Sequence, residues 1–288
     1  LRNLIPGMYT ANGLAFSPDG RTMYHSDSHP QAQTIWDYAA GGSDYPLAVL
    51  KRAGVDLETP APIEAGVEEF DRVISEMEHH ANIVPWHFLR ERQGVVLKWV
   101  ECDAKGDLDP QAVIDAIGPK TKLVAITHMS NVLGTVVDVK SICRAAREKG
   151  VPVLVDGSQA AVHMPVDVQA IGCDFYAITG HKLYGPSGSG AIYIRAERQA
   201  EMRPFIGGGD MIREVTRDTV TYNDPPMKFE AGTPSIVAQI GLGVALEYMM
   251  GLGMDNIAAH ERGLRDYARA RLAGLNWLNV QGNSDTKG

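Results

Sequence analysis

From about residue 78 onward, short apolar runs alternate with amphipathic stretches. Residues 95–100, 123–127, 153–155, 175–178 and 191–194 are dominated by β-branched, aromatic and other apolar side chains, the pattern of buried strands. Between them lie helical signals. Asp109 as N-cap and Pro110 at the first helical position open one helix, which Gly118 is expected to close. Over about 138–149, Val139, Ile142, Cys143 and Ala146 share one face, and Gly150 stops the helix. Residues 235–272 read as helices, with Ile240, Val244, Ala245 and Tyr248 as a stripe. This βαβα rhythm predicts an α/β fold, a mainly parallel sheet with helices on both faces.

The first 77 residues follow other patterns. Leu14, Ala15 and Phe16, the turn Ser17-Pro18-Asp19-Gly20, and Thr22 to His25 predict a β-hairpin, with a further strand at 35–38. Val67, Phe70, Ile74 and Met77 recur at helical spacing and predict a helix over 62–77. The chain therefore divides into a hairpin segment (1–40), a helical segment (41–77) and an α/β domain (78–288). Residues 12–24 resemble the SMP-30/gluconolactonase β-propeller family, in which the asparagine matching Asn12 is a metal ligand. One fragment cannot close a propeller and the other ligands are absent, so Asn12 is read as non-functional and no metal is expected. Residues 41–47 and 53–57 look like the C-terminal tail of oligoendopeptidase F metallopeptidases. Those enzymes need an H-E-x-x-H zinc helix, which this chain lacks, and the peptidase reading fails.

Composition narrows the classes. At 44% hydrophobic and 22% charged, the 288 residues are those of an ordinary globular protein. A net charge of −8 recommends neither nucleic acid nor an anionic membrane as partner. The most apolar stretch, 240–254, is short and interrupted by Glu247, so no membrane span is expected. The N-terminus has no signal-peptide pattern. Cys102, Cys143 and Cys173 lack CxxC spacing, which supports neither disulfides nor zinc and points to a reducing cytoplasm. Cys143 lies on the apolar stripe of its helix and is expected in the core.

The candidate chemistry sits at two strand ends. Asp156 follows the run 153–155, at the C-terminal edge where parallel sheets place their ligands. The run Thr179-Gly180-His181-Lys182 follows the next strand. A lysine that can bond a cofactor aldehyde, with an acid that can keep a pyridine nitrogen protonated, is what pyridoxal phosphate requires.

Five motifs extend this: Met77 to Trp86 (Met-Glu-His-His-Ala-Asn-Ile-Val-Pro-Trp), the stretch from Thr127 to Gly134, that from Val155 to Ala160, that from Gly180 to Pro186, and that from Phe229 to Pro234. In this order they resemble the Suf-type cysteine desulfurases, fold-type I enzymes of the class V aminotransferase group. The resemblance covers about residues 75–288. It implies that Lys182 carries the cofactor and moves the proton at the substrate's Cα, that Asp156 pairs with the pyridine nitrogen, and that Gln159 and Asn131 bond the phenolic oxygen. It also implies that His79 stacks on the ring, with His80 pointing the other way if the segment is extended, and that Thr179 and His181 hold the phosphate. Thr233 would reach the phosphate of a neighbouring subunit, which implies a homodimer. L-cysteine as substrate and a sulfur-acceptor protein of iron–sulfur cluster assembly come from the same resemblance.

The departures matter too. A Thr-rich phosphate loop, a nucleophilic cysteine and a substrate-binding arginine have no counterpart here, and the C-terminal small domain is expected to be missing. Neither Cys102 nor Cys173 has a neighbouring base that would form a thiolate. A selenocysteine lyase or another class V enzyme is the alternative within the group. A catalytically dead chimeric fragment that at most binds pyridoxal phosphate is the alternative outside it.

Overall fold

A computed structural model describes residues 70–204 and 206–282, together with 284 and 287, and the backbone of four short strands before residue 40. Asn12, the turn at 17–20 and residues 40–69 lie outside the described residues. The chain divides into two units, Leu1–Glu64 and Ala65–Gly288.

In the first unit, β1 (Thr10–Ala11), β2 (Leu14–Phe16), β3 (Thr22–Ser26) and β4 (Ile35–Ala39) form an antiparallel sheet in chain order. Leu14 pairs with His25, and Thr22 with Ala39.

The second unit is built on a six-stranded sheet. Its strands are β5 (Asp71–Ser75), β6 (Val96–Val100), β7 (Thr121–Thr127), β8 (Val153–Asp156), β9 (Phe175–Thr179) and β10 (Gly190–Ile194), in the order β10-β9-β8-β7-β5-β6. All neighbours are parallel except β10, which runs antiparallel along β9. An antiparallel edge strand on a parallel sheet is a common α/β arrangement.

Helix α1 (Val84–Gln93) follows β5, α2 (Pro110–Ala116) follows β6, and α3 (Val139–Glu148) follows β7. The Asp109 and Asp138 carboxylates accept backbone N–H groups of Gln111 and Ser141, capping α2 and α3. Val113 of α2 and Ile142, Cys143 and Ala146 of α3 pack on Val73, Val124, Ile126, Val153 and Val155, which project from one face of the sheet. On the other face, Ile74, Leu123 and Ala125 are joined by Trp86 of α1, Leu154 and Phe175. Cys143 lies in the core, as its position on the stripe predicts.

Beyond β8 come α4 (Ala160–His163) and α5 (Val168–Ile171), then α6 (Ala196–Glu201) after β10, and the two long helices α7 (Ile236–Leu252) and α8 (Met254–Leu272). Val162, Leu183, Leu242, Met249 and Ile257 make a second core between α4, α7 and α8. A short antiparallel pair, β11 (Ile212–Val215) and β12 (Val220–Tyr222), precedes α7. Among the described residues no single helix is long and apolar enough to cross a membrane.

Two sequence expectations are corrected. Where the spacing of Val67, Phe70, Ile74 and Met77 predicts a helix, residues 71–75 form β5, between β6 and β7. A strand covered on both faces needs consecutive apolar residues, and Val73 and Ile74 supply them to opposite cores, so helical spacing there is coincidental. In α7, Ile240, Val244 and Tyr248 are exposed, and the buried row is Ala238, Leu242, Ala245 and Met249. A helix apolar all round carries no periodicity to choose its buried face, and packing chooses it.

Candidate active site

The parallel arrangement brings the segments after β5, β7, β8 and β9 to one edge of the sheet, and these carry nearly all the residues singled out in the sequence. Thr127 is the register partner of Asp156, and Asp156 that of Ala177. Three inter-strand spacings, about 14 Å, separate β5 from β9. That span is small enough for the segments beyond the strand ends to reach a common ligand.

Asp156 ends β8 half-buried. Among the described residues its carboxylate accepts one hydrogen bond, from the Ser158 N–H to Oδ1 at 2.9 Å. Gly157 follows because nothing larger fits: a Cβ there would stand 1.9 Å from the Tyr176 ring. Gln159 lies in the turn before α4, with Oε1 3.3 Å from His163 Nε2, which leaves its amide N–H groups to donate elsewhere. His163 Nδ1 lies 2.8 Å from Glu261 Oε2 and so ties this turn to α8.

Lys182 closes the 3₁₀ turn Gly180–Lys182 after β9. It is half-buried and has no ion-pair or hydrogen-bond partner among the described residues. Gly180 permits the turn, since a Cβ would meet Ser189 Oγ at 1.9 Å. Thr179 Oγ1 and His181 Nδ1 lie 2.9 Å apart. Asn131 lies four residues past β7 and is exposed, as is Thr233, in the approach to α7. No hydrogen bond among the described residues joins Lys182, Asp156, Asn131 and His79 directly to one another.

His79 does not sit at the end of an extended segment. It is the exposed N-cap of the 3₁₀ turn His80–Asn82, and its Nδ1 accepts the Ala81 N–H at 3.1 Å. The alternation expected of His79 and His80 therefore does not apply, and their ring centroids lie 6.0 Å apart.

Sequence reasoning missed the buried polar groups beneath this edge. Glu78 is 5% exposed and accepts from Ser75 Oγ (2.5 Å), Asn82 Nδ2 (2.7 Å) and the Thr127 N–H (2.9 Å). Burial pushes its carboxyl up to about 7; the three donors oppose that rise and the charge of Asp156 adds to it. His128 is buried beside Tyr176, with Nδ1 2.8 Å from the hydroxyl. Burial lowers the imidazole to about 4 and raises the phenol. The available signal was the density of polar residues inside two of the motifs, Met77–Trp86 and Thr127–Gly134.

The thiols offer no ready nucleophile. Burial pushes Cys102 and Cys143 up to about 12 and Cys173 to about 11. Cys102 follows β6 on the same edge as the site, where the neighbouring carboxylates of Glu76, Asp103 and Asp107 disfavour its thiolate further. A cavity of about 460 Å³, lined by Gly118, Thr121, Lys149 and Pro152, lies at the opposite, N-terminal edge of β7 and β8 and gathers no acid–base pair.

Known proteins agree with this architecture. A probable cysteine desulfurase from Xylella fastidiosa is 48% identical over 215 residues, 75% of this chain and 52% of that protein. The crystal structure of the cysteine desulfurase CsdA from Escherichia coli superposes with a TM-score of 0.69 at 38% identity, covering 71% of this chain and 51% of that one. A mutant of C-DES, with glycine covalently linked to its PLP cofactor, gives 0.63 at 25% identity over 73% of this chain and 56% of the other. The chain thus spans about half the length of the curated relatives it matches. The Aminotransferase class-V family model matches residues 65–287, and the chain belongs to that family.

Proposed function

We propose that the sheet edge bearing Asp156 and Lys182 is a pyridoxal phosphate site of cysteine desulfurase type, acting on L-cysteine. One observation carries this reading: a half-buried carboxylate with, among the described residues, a single backbone donor ends a central strand, and a lysine without a partner among those residues occupies the turn after the adjacent strand. The donor set suits the cofactor, since Asp156 has acceptor capacity left for a ring N–H and Lys182 has no competing partner among the described residues. The likeness to proteins named as desulfurases and to C-DES, a cystine C–S lyase seen with a PLP-linked ligand, supports it.

When bound, the cofactor supplies an electron sink for charge developing at the substrate's Cα. In this reading Asp156 accepts the pyridine N–H and holds the ring cationic. His79 covers the ring, Gln159 and Asn131 donate to the phenolic oxygen, and Thr179 and His181 bind the phosphate. The Lys182 amine removes and returns the proton at Cα. Thr233 serves the phosphate of a second copy, and the exposed row Ile240, Val244 and Tyr248 supports such a homodimer. Delivery of sulfur to an iron–sulfur assembly protein, and a cytoplasmic setting, rest on the family alone.

Desulfuration also needs a thiolate to take the sulfur as L-alanine forms, and the raised Cys102, Cys143 and Cys173 do not supply one. That observation favours a second reading of the chain as given: cofactor binding with little turnover. The test is titration with pyridoxal phosphate, read by absorbance, together with sulfide release from L-cysteine under reductant. Binding that is lost in Lys182→Ala supports the site. Equal binding by both proteins defeats it, and robust Lys182-dependent sulfide release defeats the second reading.

A further inference from the structure

We propose that Glu78 is a positioning residue that sets His79 over the cofactor site, by clamping the segment after β5 to the end of β7, the strand beside the one that carries Asp156. The inference rests on the stacking role given to His79 above. Pairing between β5 and β7 ends at Ile74 with Ala125, so β5 offers no backbone acceptor to the N–H of Thr127. A buried N–H without an acceptor is costly, and Glu78 Oε1 takes the place of the missing strand at 2.9 Å. Thr127 is in turn the register partner of Asp156. The Glu78 side chain thus ties the residue next to His79 to the height of the acid.

The other carboxylate oxygen pins the far side of the turn. Glu78 Oε2 accepts from Asn82 Nδ2 at 2.7 Å, and Asn82 Oδ1 accepts the indole N–H of Trp86 at 3.2 Å. His79 lies within the arc between positions 78 and 82, and both ends of that arc are held by one buried group. Ser75 Oγ adds a third donor from the last residue of β5.

This geometry requires a carboxylate. Three donors converge on Glu78 from Ser75, Asn82 and Thr127, and a glutamine would turn an N–H group toward one of them. Glu78→Gln therefore sets donor against donor at Asn82. Adding Asn82→Asp reverses the polarity of the pair: the introduced amide donates, the introduced carboxylate accepts, and an oxygen remains for Trp86. The double variant also keeps the charge of the cluster.

The experiment uses the full chain at about pH 8, where the Glu78 carboxyl is mainly ionised. Its readouts are affinity for pyridoxal phosphate, the circular dichroism the bound cofactor acquires, and the ¹⁵N shift of His79 Nδ1 without cofactor, which reports its bond from Ala81. Glu78→Gln is expected to lower affinity about tenfold, the scale of one charge-assisted hydrogen bond. It should also change the dichroism and shift the His79 nitrogen. Glu78→Gln/Asn82→Asp should return all three readouts toward the original values. If Glu78→Gln does not fold, Asn82→Ala, which removes one donor only, is expected to move the same readouts less.

A lowered melting temperature, with the dichroism and the His79 nitrogen unmoved, overturns the inference by reducing Glu78 to a structural role. So does a double variant no better than the single one. His79→Ala separates the two layers. If it leaves affinity and dichroism unchanged, or if the original chain binds no pyridoxal phosphate, the stacking reading fails and the inference with it. If His79→Ala changes both and Glu78→Gln and Asn82→Ala change neither, stacking stands and Glu78 is not its support.

Discussion

The Tyr176 hydroxyl lies 2.8 Å from Nδ1 of His128, and the two rings meet edge to face at 5.9 Å between centroids. Both residues are buried. The imidazole is neutral at neutral pH because burial lowers it to about 4. Tyr176→Phe removes the only described partner of His128 Nδ1. A buried polar atom left unpaired costs about 1–3 kcal/mol, so the variant should unfold at correspondingly lower denaturant concentration. An unchanged midpoint would mean that water replaces the hydroxyl without loss.

The same ring explains Gly157. Alanine there places a methyl carbon 1.9 Å from Tyr176 Cε1, closer than packing can absorb without moving the ring or the strand end. Gly157→Ala is expected to cost at least about 2 kcal/mol. Tyr176→Leu added to Gly157→Ala should recover part of that loss, and a double-mutant cycle measures the coupling. Additive effects would show that the two residues do not compete for space.

Glu78 and His128 predict opposite pH dependences. The folded Glu78 carboxyl, near 7 against an ordinary 4.5, holds its proton more tightly than the unfolded chain does. Its contribution to stability is therefore full below about 4.5 and is lost as pH rises through about 7. Folded His128, near 4 against 6.5, contributes fully above about 6.5 and loses that contribution as pH falls through about 4. Each effect is on the order of 3 kcal/mol at its fullest. Relative to Glu78→Gln, the original chain should lose stability from pH 4.5 to 7; relative to His128→Leu it should gain over 4 to 6.5. Melting curves across that range, with parallel pH profiles for a variant and the original, would sink the corresponding assignment.

Thiol chemistry gives an independent check of packing. Cys143 and Cys173 are 1% and 0% exposed, and Cys102 is partly exposed with its thiol pushed up to about 12. The folded chain is expected to react slowly, at Cys102 alone, with a thiol-specific reagent near neutral pH, and all three thiols should react once it is unfolded. Fast labelling of Cys143 in the folded chain would contradict its place between α3 and the sheet.

Much of the second unit could be read along the chain because β7 and β8 are largely buried apolar runs and its helices are bounded by clear punctuation. Asp109 with Pro110, and Asp138 with Gly150, mark helices close to where α2 and α3 lie. Asp156 and Lys182 were legible as the residues that end a strand or follow the next one. That β8 and β9 lie side by side came from the structure. The edge they share required the structure to establish that β5, β7, β8 and β9 all run the same way.

Local pattern, then, determined the strands and helices whose signals were unambiguous and the mainly parallel sheet. It could not decide β5, because Ile74 falls on a helical stripe with Phe70 and Met77, and only neighbours on both sides make the consecutive Val73 and Ile74 favourable as a strand. Nor could it choose the buried side of α7, apolar on every side. The Glu78 cluster was beyond it for a related reason: its acceptors meet donors from positions 75, 82 and 127, and the contact with Thr127 spans 49 residues. Burial and hydrogen-bond partners at that separation are set when the strands assemble, since only then are water excluded and the distant donors brought within reach.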